Sequence, residues 1–306
     1  MTQSVFIDGA AGTTGLEIAA RLAGRDEFDL LILDEADRKD AATRREALNA
    51  ADFVILCLPD EAAREAAEMV SRPATRIIDA SSAHRVADGW TYGFAELSVA
   101  QRGAIADASR VSNPGCYPTG FLALVAPLVA AGLIDAAAPL TINAVSGYSG
   151  GGKALIERFS VNREIGFRSY GLGLDHKHLP EMQRYAGLAV PPVFAPAVVP
   201  VFRGMIVEVP LAAGLADADA VRACLAAHYA DSSVVRPGTA MEGELLLRDG
   251  VPGWDGLEWF VFDGSNGQIR LVARLDNLGK GASGACVQNL NLMAGLPEMA
   301  GLNLSP

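Results

Sequence analysis

A cysteine thiolate is a good nucleophile, and one cysteine of this chain lies among residues that shape turns. Cys116 stands within Ser112–Gly120, between an apolar segment at Ala108–Val111 and a long apolar run at Phe121–Ile134. That order predicts a strand, a turn and a helix, with the thiol at the start of the helix. The positive end of a helix favours the reactive thiolate. The pattern therefore indicates a nucleophile, with a small buried apolar residue as the alternative.

Two histidines lie close together later in the chain. His176 and His178 are two residues apart, so on an extended segment they point to the same side. Histidine titrates near neutral pH and suits proton transfer in a site that holds a thiolate. A metal site and an ordinary polar lining are the alternatives, although nothing else in the chain supplies clear metal ligands.

A glycine-rich turn stands near the N-terminus. Val5–Asp8 reads as a strand, Gly9–Gly15 as the turn and Leu16–Leu22 as a helix. This is the order of a dinucleotide-binding unit, in which glycine lets the backbone approach a pyrophosphate at the start of the helix. The GxxGxxG spacing is weak evidence alone, because a simple tight turn would have it too.

Charged residues follow the second strand, which we predict at Leu30–Leu33. Asp34 stands at its end, and Arg38 and Lys39 come soon after. An acidic residue there favours a free ribose 2′-hydroxyl, whereas a basic residue favours a 2′-phosphate. Both kinds are present, so this stretch leaves the choice between NAD and NADP open.

The next strands complete a doubly wound pattern. Phe53–Leu58 is a continuous apolar run typical of a buried parallel strand, Glu61–Val70 has helical composition, and Arg76–Asp79 is a further strand. Alternating strands and helices predict an α/β fold with a parallel sheet. Arg85 follows this strand on a loop expected to line the ligand crevice, as a candidate phosphate clamp or as a surface arginine.

After Cys116 the alternation stops. We expect Pro127 to break or bend the helix there, and Val198–Pro210 to form one long strand. Strands that do not alternate with helices suggest an α+β second domain. A late apolar helix ending at Met293 could pack back on the first domain. The predicted domains are a dinucleotide-binding domain of residues 1–115 with 281–306, and a catalytic domain of residues 116–280.

Composition excludes several classes of protein. With 25 basic and 36 acidic residues the net charge is −11, which argues against a nucleic-acid partner. We find no apolar run long enough for a membrane span, and no signal peptide before the first strand. The four cysteines form no CxxC pair, so we expect neither disulfides nor a zinc site, and a reducing cytoplasm fits.

Together these motifs resemble the N-acetyl-gamma-glutamyl-phosphate reductases of arginine biosynthesis, in their shorter form. The matching pieces are Asp8–Gly15, Asp79–Arg85, Ser112–Thr119, His176–Glu181 and Gly279–Asn289. The wider relatives are the aspartate-semialdehyde and glyceraldehyde-phosphate dehydrogenases. The resemblance implies a Rossmann-like doubly wound sheet followed by an α+β catalytic and dimerisation domain.

The resemblance also implies a mechanism. Cys116 attacks the acyl carbon of N-acetyl-5-glutamyl phosphate and expels phosphate, and hydride from NADPH reduces the thioacyl enzyme to N-acetylglutamate semialdehyde. His176 is the first candidate for the acid and base, and His178 is the second. The family uses NADP, and Arg38 and Lys39 stand where they could hold its 2′-phosphate.

Further site residues follow from this reading. The predicted cofactor-binding residues are Gly9, Gly12, Thr13, Thr14, Gly15, Arg38, Lys39, Ser81, Asn277 and Gly281. The predicted substrate-binding residues are Ser82, Arg85, Asn113, Gly147 and Arg203. No metal is expected, and relatives assemble as dimers or tetramers. The alternatives are another acyl-phosphate reductase, such as an aspartate-semialdehyde dehydrogenase, or a nucleotide-binding redox sensor that uses Cys116.

Overall fold

Short strands and helices alternate through much of the chain in the computed structural model, which describes residues 2–239 and 243–305. The strands are β1 Gln3–Asp8, β2 Phe28–Leu31, β3 Phe53–Leu56, β4 Arg76–Asp79, β5 Thr91–Tyr92, β6 Arg110–Ser112, β7 Thr141–Gly147, β8 Arg168–Ser169, β9 Val193–Val199, β10 Met205–Leu211, β11 Val235–Pro237, β12 Leu257–Asp263 and β13 Ile269–Leu275. The helices are α1 Thr13–Leu22, α2 Ala41–Ala50, α3 Asp60–Met69, α4 Val99–Asp107, α5 Cys116–Ala130, α6 Gly152–Val161, α7 Leu179–Ala186, α8 Ala218–His228 and α9 Gly284–Met293.

Contacts between residues divide the chain into two units. The first unit consists of the residues up to Ala95, Val99–Pro114 and Ala282–Leu302; the second consists of Glu96–Ser98, Gly115–Gly281 and the residues from Asn303 onward. The ends of the predicted first domain, Met1 and Pro306, lie outside the described residues. The predicted domains stay a prediction, because contacts do not test whether either part folds alone.

The first unit contains a six-stranded parallel sheet. Its strand order is β2-β1-β3-β4-β6-β5, and every neighbouring pair runs parallel. All four residues of β3 are buried, as its apolar run predicts. The strand order switches direction at β1, because β2 lies on one side of it and β3 on the other. In open α/β sheets, ligands bind at such a switch point, beyond the carboxyl ends of the strands.

Helices cover both faces of this sheet. Val5 of β1 belongs to one apolar cluster with Ile18 of α1 and Leu290 of α9. Phe6, the next residue of β1, belongs to a second cluster with Leu48 of α2. Because successive side chains of a strand point to opposite faces, two separate helical layers are needed to bury them. The doubly wound fold predicted from the sequence is confirmed.

The second unit contains a seven-stranded mixed sheet with the order β11-β12-β13-β10-β7-β9-β8. The prediction of one strand over Val198–Pro210 is wrong, because β9 ends at Val199 and β10 begins at Met205. Gly204 has a φ of +107°, a backbone conformation that side chains disfavour. It interrupts the extended segment and lets the chain start a new strand.

Helix α5 lies at the centre of the second unit. Every residue from Tyr117 to Leu128 is buried, as expected for a helix that is apolar all round. A Cβ atom added to Gly120 would lie 2.7 Å from Val207 of β10, so the helix packs closely against the sheet. Pro127 does not end the helix, which continues to Ala130.

Candidate active site

Cys116 is the first residue of α5, and β6 ends four residues before it at Ser112. Gly115 occupies the N-cap position without a side-chain hydrogen bond to the helix. The cysteine is half-buried. The thiol therefore lies at the positive end of the helix, at the kind of position where a thiolate is favoured.

Two contacts within the second unit hold the start of this helix. The backbone N–H of Gly115 donates a hydrogen bond to Oε2 of Glu181, 3.1 Å away, and the Glu181 side chain is buried. On another side, a Cβ added to Gly281 would lie 2.8 Å from Cβ of Cys116. Any larger residue at 281 would displace the cysteine, which explains why glycine stands there.

His176 and His178 lie beside the residue that follows Cys116. Their ring centroids are 4.7 Å apart, and they lie 6.2 Å and 5.9 Å respectively from the ring of Tyr117. His178 is buried, whereas His176 is half-buried. The structure thus brings the two predicted histidines into the same unit as Cys116, with His176 the more accessible of the two.

The backbone sets the proton position on His176. Its Nδ1 accepts a hydrogen bond from the backbone N–H of His178, at 3.2 Å. A neutral imidazole whose Nδ1 accepts carries its proton on Nε2. The Nε2–H group of His176 can therefore donate a hydrogen bond to a developing oxyanion.

A pair of tyrosines, absent from the predicted site, also lies near the thiol. The Tyr170 hydroxyl donates to the Tyr117 hydroxyl at 3.2 Å, and Tyr117 donates to the carbonyl oxygen of Ala197 at 3.0 Å. Burial, together with the negative charge of a Cys116 thiolate, raises the pKa of Tyr170 to about 12, and burial raises the pKa of Tyr117 as well. Both phenols thus stay neutral at physiological pH. No local sequence pattern signals them, because Tyr170 lies 53 residues from Tyr117.

In the first unit, the backbone of the predicted glycine turn packs too closely for side chains at two of its glycines. Gly9 has a φ of +87°, and a Cβ added there would lie 2.3 Å from the carbonyl oxygen of Cys57. A Cβ on Gly15 would lie 2.6 Å from the oxygen of Gly9. Gly12 is the N-cap of α1 and makes no side-chain cap, so the backbone at this helix start can face an anion. The helix includes Thr13 and Thr14, three residues earlier than predicted.

Arg38 and Lys39, the two residues predicted to bind the 2′-phosphate, have different surroundings in the structure. Arg38 lines a cavity of about 200 Å³ beside the glycine turn, and its guanidinium lies 2.9 Å from Glu35. Lys39 does not line that cavity, and its side chain is 74 % exposed. Asp34 uses Oδ1 to accept the backbone N–H groups of the next turn, from Ala36 and Asp37. That oxygen of the acidic residue is thus committed to the turn.

The loop after β4 is held by buried polar contacts within the first unit. Asp79 accepts hydrogen bonds from the backbone N–H and hydroxyl of Ser81, both at 2.8 Å. The Ser82 hydroxyl bonds to Asp60 instead. Arg85 is buried, and its Nε donates to the carbonyl oxygen of Asn113 at 3.1 Å. The alternative prediction, that Arg85 is a surface arginine, is therefore wrong.

Asn113 is fixed by three further groups of the first unit. Its backbone N–H donates to the oxygen of Asp79, and its Nδ2 donates to the oxygen of Ala282. Its Oδ1 accepts from Nδ2 of Asn289 on α9, at 3.1 Å. These contacts hold the segment that leads into Cys116.

The remaining predicted residues lie in the second unit around Asp276. Arg203 forms an ion pair with Asp276 at 3.0 Å. Asn277 accepts from the N–H of Gly204 and donates to the hydroxyl of Ser149, so its amide braces a loop. A Cβ added to Gly147 would lie 2.7 Å from a backbone oxygen of Phe202.

Within residues 2–239 and 243–305, no group of three or more His, Cys, Asp or Glu side chains could hold a metal ion. The helices of the same residues include none that is both long enough and apolar enough for a membrane span.

Comparison with known proteins identifies the family. Residues 4–107 match a family model described as semialdehyde dehydrogenase, NAD binding domain, and residues 116–277 match one described as semialdehyde dehydrogenase, dimerisation domain. The chain is 48% identical to N-acetyl-gamma-glutamyl-phosphate reductase 2 of Nostoc sp., over 97% of this chain and 98% of that protein. It is 49% identical to the N-acetyl-gamma-glutamyl-phosphate reductase of Rhizobium meliloti, over 96% of this chain and 99% of the relative.

Solved structures confirm the fold at lower identity. An aspartate semialdehyde dehydrogenase II from Vibrio cholerae matches with a TM-score of 0.74 and 17% identity, over 96% of this chain and 99% of that chain. A probable aspartate-semialdehyde dehydrogenase from Pseudomonas aeruginosa matches with a TM-score of 0.72 and 18% identity, over 96% and 98% respectively. The chain therefore belongs to the semialdehyde dehydrogenase family and, within it, to the N-acetyl-gamma-glutamyl-phosphate reductases.

Proposed function

We propose that this chain catalyses the NADPH-dependent reduction of N-acetyl-5-glutamyl phosphate to N-acetyl-L-glutamate 5-semialdehyde and phosphate, a step of arginine biosynthesis. The observation that carries the proposal is the half-buried Cys116 at the start of α5, beside Tyr117 and the histidine pair, in a chain of this family. The fold alone would fit any semialdehyde dehydrogenase. Identities near 48% to the acetylglutamyl enzymes favour this substrate over aspartyl phosphate.

In the proposed mechanism, the Cys116 thiolate attacks the acyl carbon and the phosphate group leaves with the electron pair of the C–O bond. The product is a thioester between Cys116 and the acetylglutamyl group. The glycine turn would hold the nicotinamide dinucleotide, which would supply the hydride needed to reduce this thioester to a hemithioacetal. The oxyanion takes a proton as the hydride arrives, and the hydroxyl proton leaves again when the C–S bond breaks. The aldehyde is released and the thiolate is regenerated.

We propose His176 as the residue that gives and takes this proton. Its accessibility supports the role, because an acid or base must reach the reacting oxygen, and its Nε2–H group can hydrogen-bond that oxygen. His178 is buried at the N-cap of α7, and its backbone N–H orients the His176 ring. We therefore assign to His178 a positioning role.

The cofactor is a nicotinamide dinucleotide, as the match to a nucleotide-binding family domain supports. We propose NADP as the form used. Arg38 on the cavity beside the glycine turn supports a 2′-phosphate site, since a guanidinium matches phosphate oxygens. The engagement of Asp34 with Ala36 and Asp37 weakens the case for a ribose hydroxyl ligand there.

We also propose that the chain forms a homo-oligomer and works in the cytoplasm. A groove of about 390 Å³ on the second sheet is lined by Val145, Ile206 and Leu247, an apolar surface suited to a second copy. The match to a dimerisation domain supports the same conclusion. The proposed thiolate must stay reduced, a condition that the cytoplasm provides. Sedimentation equilibrium that showed only monomers would refute the oligomer.

The reverse reaction tests the proposed substrate. The enzyme is mixed with N-acetylglutamate semialdehyde, phosphate and NADP, and the absorbance of reduced nicotinamide is followed. We expect formation of NADPH that depends on phosphate, and much slower formation with aspartate semialdehyde. A signal with the aspartate compound and none with the acetylglutamate compound would replace the proposed substrate by the other acyl phosphate.

A further inference from the structure

A buried carboxylate stands directly beside the glycine turn. Asp8 is the last residue of β1 and precedes Gly9, and it is only 4 % exposed. It also lines the cavity of about 200 Å³ that Arg38 and the glycine turn share. This location is unfavourable for an anion, because a diphosphate bound at the turn would meet a second negative charge where little water screens it.

The negative charge of Asp8 affects the pKa of a neighbouring thiol, that of Cys57. Cys57, which packs against Gly9, has a thiol pKa raised to about 12, mainly by burial and further by the negative charges of Asp79 and Asp8. Two carboxylates therefore act at this edge of the parallel sheet. Asp79 is already satisfied by hydrogen bonds from Ser81 and His84.

Arg44 supplies the opposite charge to Asp8. Its Nη2 lies 2.8 Å from Oδ2 of Asp8, with 16% of the arginine side chain and 5% of the aspartate side chain exposed. Arg44 is held in place by the start of α2, where Asp40 caps the helix by accepting from the N–H of Thr43 at 2.7 Å. A cation on a capped helix thus faces the carboxylate of the residue that directly precedes the glycine turn.

We infer that Arg44 is a positioning residue for cofactor binding: it neutralises Asp8 so that the glycine turn can accept the diphosphate of the nucleotide. The inference rests on the nicotinamide cofactor of the proposed function. It differs from a direct role for Arg44 as a phosphate ligand, because the guanidinium acts through Asp8. The distinguishing consequence is that removal of the Asp8 charge makes Arg44 dispensable.

Binding of ADP tests this directly, because ADP carries the diphosphate but neither nicotinamide nor 2′-phosphate. Affinities are measured by calorimetry at low salt, where electrostatic effects are least screened, with the full-length protein. The variants are Arg44→Met, Asp8→Asn and the double variant. Arg45→Met is the matched control, since Arg45 is the next residue of the same helix and is exposed.

Arg44→Met should weaken ADP binding by about 10-fold or more, as expected for an uncompensated charge close to the ligand. Asp8→Asn should bind ADP at least as tightly as the wild type, and the double variant should stay within about 3-fold of Asp8→Asn. Arg45→Met should match the wild type. A double variant as weak as Arg44→Met, or an Arg44→Met protein that binds normally, would overturn the inference.

Two further measurements keep the result interpretable. Thermal unfolding followed by circular dichroism shows whether each variant is folded, and Arg44→Gln, which keeps much of the side chain, replaces Arg44→Met if that variant is not. ADP binding needs no substrate. A protein that binds ADP as described but does not act on N-acetylglutamate semialdehyde would therefore refute the proposed function and leave this inference intact.

Discussion

The carboxylate of Glu181 accepts a hydrogen bond from the backbone N–H of Gly115, 66 residues away in the sequence, at 3.1 Å. Glu181 lies in the first turn of α7, whose N-cap is His178. Gly115 immediately precedes Cys116. One contact thus joins the segment that carries the histidines to the residue that sets the position of the thiol.

Loss of this contact should lower the activity of the enzyme more than it lowers the stability of the whole fold. Glu181→Ala leaves the buried N–H of Gly115 without its acceptor, which costs about 1–3 kcal/mol. Because Gly115 directly precedes Cys116, the loss should also displace the thiol, and we expect kcat/KM to fall by about 10-fold or more. Glu181→Gln keeps an acceptor oxygen and should retain more activity. Initial rates and the rate of Cys116 alkylation by iodoacetamide check this; equal losses in both variants would show that the charge matters instead.

Substitutions of the two histidines should have different kinetic effects. His176→Ala removes the proposed acid and base and should lower kcat by about 100-fold or more, with little change in NADPH binding. His178→Ala should have a smaller effect, because it keeps the backbone N–H that orients the His176 ring and removes only the packing between the two rings. His228→Ala, an exposed histidine of the same unit, is the control and should be neutral. A larger loss from His178→Ala would move the acid and base role to that residue.

The pH dependence of kcat/KM gives an independent check of the same assignment. Burial raises the pKa of Tyr170 to about 12, so this phenol keeps its proton throughout an assay between pH 6 and pH 9. Any ionisation seen near neutral pH should therefore survive in Tyr170→Phe and disappear in His176→Ala. If Tyr170→Phe abolished that ionisation, the phenol and not the imidazole would be the titrating group.

Arg38 should decide the preference for the phosphorylated cofactor. Arg38→Ala should raise the KM for NADP more than the KM for NAD, because only NADP carries the 2′-phosphate that the guanidinium would bind. Lys39→Ala is the matched control and should have a smaller effect, since Lys39 does not line the cavity. Equal changes in the two KM values for Arg38→Ala would leave it a surface charge paired with Glu35.

A buried ion pair should stabilise the second unit. Lys280 lies 2.7 Å from Glu96, and each side chain is only 1% exposed. Lys280→Met leaves a buried carboxylate without its cation, so the free energy of unfolding should fall by about 3–5 kcal/mol. The double variant Lys280→Met with Glu96→Leu should recover much of that loss. Urea denaturation measures both; a double variant no more stable than Lys280→Met would contradict this explanation.

The sequence predicted those features that depend on local patterns. The apolar runs identified β1, β3, β4 and β6 of the first unit, whereas the short strand β5 was not predicted. The start of α5 at Cys116 followed from the turn-forming residues before it. The single strand over Val198–Pro210 was wrong because apolar composition does not reveal the φ of Gly204.

Local patterns could not predict contacts between residues that are far apart in the sequence. Glu181 was part of a motif, but nothing in its neighbourhood indicated that it would bond to Gly115. Tyr170, Arg44 and the Lys280–Glu96 pair likewise depend on which segments the fold brings together. The roles given to Cys116, His176 and the other site residues stay predictions.

The central claim is a thioester on Cys116, and mass spectrometry of peptides from the acid-quenched enzyme tests it most directly. The enzyme is mixed with N-acetyl-5-glutamyl phosphate without NADPH, quenched in acid and then digested. We predict one acetylglutamyl group on the peptide that contains Cys116, its loss on addition of NADPH, and no adduct in Cys116→Ala, with Cys224→Ser modified as the wild type is. No adduct at all, or an adduct on another residue, would contradict the mechanism.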